Sequence, residues 1–122
     1  MRALVIENST VLRRLFRVTL ADPRLEVLEH PLTSVVHDPG ALPDADLALI
    51  GTYAPFAPAL GIIDELIQRS HRPAILALMT DPREHCQNEV LDAGADIVIT
   101  MPFSPEALRR AAYTSVQQRG HQ

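Results

Sequence analysis

Five short apolar runs alternate with amphipathic stretches, and this alternation constrains the fold of the chain most strongly. Runs of four to six apolar, partly β-branched residues predict buried strands, whereas the longer segments between them have helical spacing. Strands that alternate with helices predict a parallel sheet covered by helices on both faces. Right-handed crossovers and short loops favour a five-stranded doubly wound α/β sheet. The predicted strands are 2–6, 25–28, 47–50, 74–79 and 97–100.

Capping residues and periodicity predict the first three helices. Ser9 or Thr10 caps the first helix. A short, irregular helix is predicted over 32–36, in a segment with several prolines, and a third helix over 59–69. The apolar spacing predicts that two sets of side chains point inward: Val11, Leu12, Leu15, Phe16 and Thr19 from the first helix, and Leu60, Ile63 and Ile67 from the third.

The last two helices each begin with a cap followed by a proline. Asp81 is the predicted cap of the fourth helix, Pro82 lies in its first turn, and Glu84 completes a capping box. Gly94 ends that helix in a left-handed conformation. The fifth helix begins in the same way, with Ser104 as its cap and Pro105 in its first turn, and its predicted inward residues are Leu108, Ala111, Ala112 and Ser115.

Length and charge limit the organisation and the partners. The 122 residues suffice for one domain, predicted over 1–117, with a polar tail over 118–122. A net charge of −4 argues against nucleic-acid binding. All 11 basic residues are arginines, which excludes mechanisms that need a lysine. The single Cys86, the lack of a secretory signal and the lack of a long apolar run predict a cytoplasmic protein that does not act at a membrane.

In a sheet of this kind, a functional site forms at the carboxyl ends of the strands. Most of these ends carry polar or bulky residues, but the third strand ends in Gly51, which has no side chain. The other residues at this edge are Glu7, Asn8, Thr80, Met101 and Pro102.

The order of these motifs resembles the receiver domain of bacterial two-component response regulators, over nearly the whole chain. The matching segments are "LVIENSTVLRRL", "ADLALIGTYAP", "PAILALMTD" and "LDAGADIVITMPFSPEAL". The resemblance implies the flavodoxin-like topology with strand order 2-1-3-4-5. It also implies a role in signalling, with a phosphoacceptor aspartate, an acidic pair that binds Mg²⁺, a phosphate-neutralising lysine and a switch aromatic.

Several of those groups are missing when the family pattern is carried onto this sequence. Glu7 and Asn8 match the acidic pair, although Asn8 supplies only a neutral oxygen. Thr80 matches the hydroxyl that contacts the phosphoryl group, while Gly51 stands at the phosphoacceptor position. Two further replacements occur on the fifth strand, where Met101 stands at the lysine position and Val98 at the aromatic position.

These replacements predict a degenerate receiver without phosphorylation chemistry, enzymatic activity or a cofactor. Asp46 lies about 16 Å from Gly51 along an extended strand, so it cannot replace the missing aspartate. The single remaining carboxylate, Glu7, is a poor metal site and is also readable as a plain polar strand end. The Met101–Pro102 peptide is predicted to be cis. His85, Cys86 and Glu89 share a helical turn but make at best a weak zinc site.

Two surfaces are candidate partner sites. The exposed tyrosine and arginine on the last helix suggest an interface on the family's usual output and dimer face, predicted to include Asp96, Arg109, Arg110 and Tyr113. The first helix carries Arg13, Arg14 and Arg17, which face an acidic partner or simply solvent. In the family, histidine kinases and phosphotransfer proteins dock on this helix.

The sequence therefore favours a non-catalytic signalling module. Its predicted action is phosphorylation-independent binding of a protein, namely a histidine kinase, a phosphotransfer protein, another signalling protein or a second copy of itself. Two alternatives remain. The apolar "YAPFAP" segment after the third strand suggests a small-ligand sensor, and the chain also fits the regulatory half of a longer transcription regulator.

Overall fold

A five-stranded parallel sheet forms the centre of the protein in the computed structural model, which describes residues 1–120. The strands lie in the order β2-β1-β3-β4-β5, so the predicted doubly wound fold with strand order 2-1-3-4-5 is confirmed. The strand bounds are β1 Arg2–Ile6, β2 Glu26–His30, β3 Leu47–Gly51, β4 Ala74–Met79 and β5 Ile97–Thr100.

Within residues 1–120, four α-helices and one short 3-10 helix, Pro39–Ala41, connect the strands, and a fifth α-helix follows the last strand. None of the helices in the described range is both long enough and apolar enough to cross a bilayer. The α-helices are α1 Thr10–Thr19, α2 Leu32–His37, α3 Ala57–Ile67, α4 Glu84–Ala93 and α5 Pro105–Gly120.

The sheet has an apolar core on each face, because successive side chains of a buried strand point to opposite sides. Leu4, Ala48 and Ile75 are aligned across three neighbouring strands and belong to the core beneath α2, α3 and α4. The alternate positions, such as Val5 and Leu49, pack beneath α1 and α5.

Helix α1 begins as predicted but presents a different face to the core. Ser9 is its cap, and the Ser9 hydroxyl accepts a hydrogen bond from the Leu12 amide at 3.2 Å. Phe16 and Thr19 are buried, whereas Val11 and Leu15 are 76% and 44% exposed, so their predicted inward placement is wrong. The arc of α1 that meets the sheet is narrower than the apolar stripe in the sequence.

The start of α4 also differs from the prediction. The helix begins at Glu84 rather than at Pro82, and its cap position, Arg83, makes no side-chain cap hydrogen bond. Asp81 instead accepts a hydrogen bond from the Arg83 amide at 3.0 Å and pairs with the Arg83 guanidinium. Such a local turn competes with helix initiation. Gly94 ends α4 with φ +130°, the positive φ expected of a C-terminal glycine.

Helix α5 differs from the prediction only at its end, whereas α3 also differs in its buried face, since Leu60 and Ile67 are only partly buried. Helix α3 begins at Ala57, with Pro58 in its first turn, and buries Ile62 and Leu66 in addition to Ile63. In α5 the Ser104 hydroxyl accepts a hydrogen bond from the Ala107 amide at 3.0 Å, as its role as a cap requires. The helix continues through Gly120, three residues into the predicted tail, and residues 121–122 lie outside the described range.

Candidate functional site

The register of the sheet brings Glu7 and Gly51 together at the carboxyl edge. Strands β1 and β3 pair Ile6 with Ile50, so the next residues, Glu7 and Gly51, are neighbours. The Glu7 amide donates to the His30 carbonyl at 3.0 Å, which extends the ladder by one residue. Gly51, the predicted phosphoacceptor position, therefore lies beside Glu7, the carboxylate that the receiver pattern matches to a metal ligand.

The space that an aspartate side chain would need at Gly51 is filled. An ideal Cβ on Gly51 would lie 1.8 Å from Glu7 Oε2, which is far closer than two non-bonded heavy atoms can approach. It would also lie 2.9 Å from Cε2 of the Tyr53 ring. The missing side chain has therefore left no cavity, because Glu7 and Tyr53 pack into its place.

Glu7 is a buried carboxyl group with one unpaired oxygen. The residue is 3% exposed, and its Oε1 accepts a hydrogen bond from the Ser9 amide at 3.3 Å. Glu7 Oε2 and the Tyr53 hydroxyl are both buried without a geometrically acceptable hydrogen bond among the described residues. Burial raises the pKa of Glu7, although the Ser9 amide, the adjacent Tyr53 and the Arg13 charge oppose it. Burial, together with the Glu7 charge, also raises the pKa of Tyr53.

The other residues predicted for this site line the same edge without converging on Gly51. The Asn8 side-chain oxygen accepts a hydrogen bond from the Thr33 amide at 3.0 Å, which turns it toward α2. Thr80 is exposed after β4. The Met101 amide donates to the Met79 carbonyl at 2.8 Å. The peptide between Met101 and Pro102 is cis, as predicted.

Val98, at the predicted switch position, and Asp46 both make contacts that stabilise the fold. Val98 pairs with Ala77 and packs against the core beneath α2, α3 and α4. Asp46 lies at the opposite edge of the sheet, where its carboxylate accepts a hydrogen bond from the Arg2 amide at 2.9 Å and lies 3.5 Å from His71 Nε2. Asp46 is therefore on the wrong side of the sheet to replace the missing aspartate.

These side chains do not fit the Mg²⁺ ion of a receiver domain. Mg²⁺ requires several oxygen ligands in octahedral geometry. Glu7 is turned into the space beside Gly51, the Asn8 oxygen is occupied, and Gly51 offers no side chain. No group of three or more His, Cys, Asp or Glu side chains suited to a metal ion occurs among residues 1–120, the predicted weak zinc site on α4 included. The Cys86 thiol lies 3.5 Å from both Asp81 and His85.

A pocket of about 320 Å³, here called the crest pocket, lies between α2 and the loop that follows β3. The pocket lies at the apolar "YAPFAP" segment, where the sequence suggested a small-ligand site. The Ala54–Pro55 peptide in this segment is also cis. The Tyr53 ring contributes both to this pocket and to the closed space beside Gly51. The pocket is lined by Asn8, Leu32, Thr33, Val36, His37, Tyr53, Ala54, Pro55 and Pro58.

The residues predicted to form one interface lie in two separate environments, Arg109 and Tyr113 in one and Asp96 in the other. Arg109 and Tyr113 turn toward α1: the Arg109 guanidinium donates to the Thr19 carbonyl at 3.2 Å, and the Tyr113 hydroxyl donates to Asp22 at 3.2 Å. Hydrogen bonds from Arg24 lower the pKa of Asp22 to about 2, and the Tyr113 hydroxyl adds to this effect. Arg109 and Tyr113 therefore join α5 to the end of α1.

Asp96 holds three elements together rather than facing a partner. Its side chain is 10% exposed and accepts a hydrogen bond from the Ile75 amide at 2.8 Å. It also pairs with Arg72 at 3.6 Å and accepts a hydrogen bond from Arg119 Nε at 2.9 Å. Of the four residues predicted for this interface, Arg110 is exposed and makes no hydrogen bond or ion pair in the described part of the chain.

Only one of the three α1 arginines is free to meet a partner. Arg13 donates to the Glu7 and Asn8 carbonyls, and Arg17 pairs with Glu29 at 2.7 Å. Arg14 is exposed and has no hydrogen bond or ion pair within residues 1–120. Beside it runs an exposed apolar stripe, here called the α1 stripe, which consists of Val11, Leu15 and Val18.

Sequence reasoning missed the role of Tyr53 and the exposure of the α1 stripe. Tyr53 lies two residues after Gly51, a spacing that places two side chains on the same side of an extended chain. A large residue at that spacing from a glycine was the available signal. The stripe could be recognised by its position, since Val11, Leu15 and Val18 follow a helical spacing offset from the buried Phe16.

Comparison with solved structures identifies the fold. A Francisella response-regulator receiver domain superposes with a TM-score of 0.79 at 13% identity, covering 97% of this chain and 98% of that one. The chemotaxis response regulator CheY4 of Vibrio cholerae superposes with a TM-score of 0.78 at 20% identity, covering 93% of this chain and 97% of that one. A pilus assembly-related protein of Burkholderia pseudomallei superposes with a TM-score of 0.79 at 21% identity, covering 97% of this chain and 90% of that one.

Sequence comparison adds nothing to this result, since neither a family model nor a curated protein matches the chain. The structural matches extend over nearly the full length of both partners and agree with the strand order and the helix positions. The chain has the fold of response-regulator receiver domains.

Proposed function

We propose that this protein is a degenerate receiver that takes part in two-component-type signalling by binding another protein, without phosphorylation and without catalysis. The observation that carries the proposal is the closed space at Gly51, where a Cβ would lie 1.8 Å from the Glu7 carboxylate. Phosphoryl transfer to a receiver needs a carboxylate nucleophile at this position, and a hydroxyl without an activating base is a poor substitute.

The surroundings of Gly51 support the same proposal. A phosphoryl group is dianionic and needs cations or hydrogen-bond donors around it. Met101 supplies no charge where the family has a lysine, and Thr80 faces solvent. The guanidinium of Arg13 is engaged by the Glu7 and Asn8 carbonyls. A phosphorylated state would therefore lack the groups that stabilise it.

The α1 stripe supports binding of a protein. Val11 and Val18 are 76% and 73% exposed, and Leu15 is 44% exposed, although burial of such side chains is worth about 1.5–3 kcal/mol each. Arg14 adds an unpaired positive charge at the same surface. An apolar strip edged by arginine is typical of interface composition. We propose this stripe as the partner surface, with homodimerisation as one form of that binding.

Intact-mass analysis tests the absence of phosphorylation. After incubation with acetyl phosphate and Mg²⁺, we expect no phosphoryl adduct on the protein, while a catalytically intact receiver treated in parallel acquires one. A stable aspartyl phosphate on this chain would overturn the proposal, whichever aspartate carried it.

Affinity purification from the native cell, followed by mass spectrometry, tests the partner surface. We expect a partner that is retained by the wild-type chain and by Val36→Asp but lost with Val18→Asp, because both valines are exposed and only Val18 belongs to the α1 stripe. Light scattering on the same three proteins detects a homodimer. Because the fold occurs in response regulators and in a pilus assembly-related protein, partners from both settings are sought. Equal recovery with Val18→Asp would reject this surface.

Small-ligand sensing is a second candidate function, and the crest pocket favours it. Its volume of about 320 Å³ lies at the lower end of the range for small-molecule sites, roughly 300–1,000 Å³. A thermal-shift screen of metabolites tests this candidate. A specific stabiliser whose effect is lost with Val36→Asp would support sensing, and the absence of any stabiliser would count against it.

A further inference from the structure

We infer that the crest pocket takes a small monocarboxylic acid whose body is apolar. This inference rests on the second candidate function, small-ligand sensing, and names the class of ligand. It is independent of the α1 stripe, because none of the three stripe residues lines the pocket. Three features of the lining lead to it: the apolar walls, the free hydrogen-bond donors at the rim, and the absence of acidic side chains.

The walls of the pocket are apolar and come from two sides. Leu32 and Val36 belong to successive turns of α2, and Pro55 and Pro58 face them from the segment after β3. The Tyr53 ring adds an aromatic surface. Val36 is 42% exposed, so a bound apolar group would remove the exposed part of this side chain from water.

The rim carries hydrogen-bond donors that have no internal acceptor. The Asn8 side-chain oxygen accepts from the Thr33 amide at 3.0 Å, so its amino group is the end left free to bind a ligand. The Thr33 hydroxyl and the His37 imidazole also lack hydrogen-bond partners within the described residues. An acceptor with several lone pairs, such as a carboxylate, matches this set of donors.

The absence of acidic side chains from the lining favours an anion over a cation. The chain has 15 acidic residues against 11 basic ones, but none of the nine lining residues is acidic, and one of them is a histidine. Glu7 does not line the pocket, since the Tyr53 ring packs against its carboxylate. An amine bound here would lose hydration without gaining a counter-charge, whereas a carboxylate would meet donors.

Three probes with the same ring test the ligand class: benzoate, benzyl alcohol and benzylamine. Binding is followed by NMR titration of the isotope-labelled full chain. We expect benzoate to bind with a Kd on the order of 1 mM, as suits a ligand of few atoms, and about fivefold or more tightly than either analogue. The shifted resonances should include Asn8, Thr33 and Val36, and exclude those of the α1 stripe.

Two substitutions separate the contributions of wall and rim. Val36→Asp places a negative charge in the apolar wall and should weaken benzoate binding by about tenfold or more. Val18→Asp makes the same change on α1 and should leave the Kd unchanged. Asn8→Ala should weaken benzoate binding by about fivefold and benzyl alcohol binding less, because a carboxylate accepts a stronger hydrogen bond than a hydroxyl does. Far-UV circular dichroism verifies that each variant is folded.

The outcomes distinguish the ligand class from the sensing function. Equal or tighter binding of benzylamine or benzyl alcohol at these residues would overturn the carboxylate inference and leave sensing intact. If none of the three probes binds at ten times the expected Kd, the carboxylate inference is overturned, and the metabolite screen alone then decides on sensing. Benzoate binding that survives Val36→Asp unchanged would show that the probe binds elsewhere, and would overturn the inference as well.

Discussion

At the scale of single residues, Gly51 is required by its neighbour and not by its own backbone, whose φ is not positive. We expect Gly51→Ala to lower the free energy of unfolding by about 2 kcal/mol, because the new methyl group would overlap the Glu7 carboxylate and the Tyr53 ring. Urea denaturation followed by far-UV circular dichroism measures the loss.

Gly61→Ala is the matched control for that substitution. Gly61 lies inside α3, and a Cβ there would have no heavy atom within 4 Å. It should therefore raise the free energy of unfolding by about 0.5–1 kcal/mol, the usual gain for alanine over glycine in a helix. In a Glu7→Ala background the cost of Gly51→Ala should fall well below its wild-type value. An unchanged cost would show that Glu7 is not the obstacle.

The same closed space predicts that phosphorylation is not restored by one substitution. Gly51→Asp supplies the missing nucleophile, but its side chain has to enter the volume held by Glu7 and Tyr53. We expect this variant to be destabilised and to remain unmodified by acetyl phosphate with Mg²⁺ in intact-mass analysis. An adduct on Asp-substituted protein of normal stability would contradict the packing described for this site.

Glu7 also gives the protein a specific dependence on pH. Burial raises its pKa above the ordinary value of 4.5, so the folded state binds the proton more tightly than the unfolded state. The resulting stability is fully present below pH 4.5 and is lost as the pH rises through the folded-state pKa. Each unit of separation corresponds to about 1.4 kcal/mol. Glu7→Gln should therefore gain stability relative to wild type as the pH rises above 4.5.

Denaturation at a series of pH values measures that difference. Asp22, with a pKa of about 2, is ionised in both folded and unfolded states above pH 4.5 and adds no slope in this window. If the stabilities of wild type and Glu7→Gln ran parallel over the whole series, the Glu7 carboxyl group would not be the source of the dependence.

The residues of this strand edge could be listed from the sequence, but the way the space beside Gly51 is filled could not. The sequence predicts at Gly51, Met101 and Val98 that a group of the receiver pattern is absent. The contact between Glu7 and Gly51 depends on the register of β1 against β3, which places residues 44 positions apart side by side. No local pattern specifies which side chain enters a space left on a neighbouring strand.

At the scale of elements, Asp96 ties the beginning of β4 to the end of α5. Asp96→Ala should lower the free energy of unfolding by about 2–4 kcal/mol, since it leaves the Ile75 amide and two arginines without their carboxylate. Arg110→Ala, on the exposed side of α5, should stay within about 0.5 kcal/mol of wild type. Urea denaturation of both variants decides between a structural role and a partner role for Asp96; equal, small effects would favour the latter.

Elements with an unambiguous pattern matched their predictions best. The bounds of β4 and β5 were predicted to the residue, because each is an apolar run enclosed by turn residues. Too many residues of α1 were predicted to point inward. Its apolar residues cover a wide arc of the helix, and the sequence does not indicate which part of that arc contacts the sheet. Helix α4 begins two residues later than predicted, because the Asp81 carboxylate binds the amide and the guanidinium of Arg83 instead of capping the helix.

At the scale of the whole molecule, the folded chain exposes no more surface than its size requires. Its accessible area of 6494 Å² is close to the roughly 6,500 Å² typical of a compact monomer of 13.5 kDa. With two cores on one continuous sheet, we expect a single cooperative unfolding transition, coincident by circular dichroism and by NMR. Separate transitions for the two faces of the sheet would show that the cores unfold independently.

The position of Tyr53 has a practical consequence. The chain contains two tyrosines and no tryptophan, and the second tyrosine, Tyr113, lies on α5 beside Asp22. In a Tyr113→Phe protein, all tyrosine fluorescence would come from one ring, which lies between the space beside Gly51 and the crest pocket. The molecule thus carries its own optical reporter, and the emission of that variant would follow events on both sides of the ring without any attached dye.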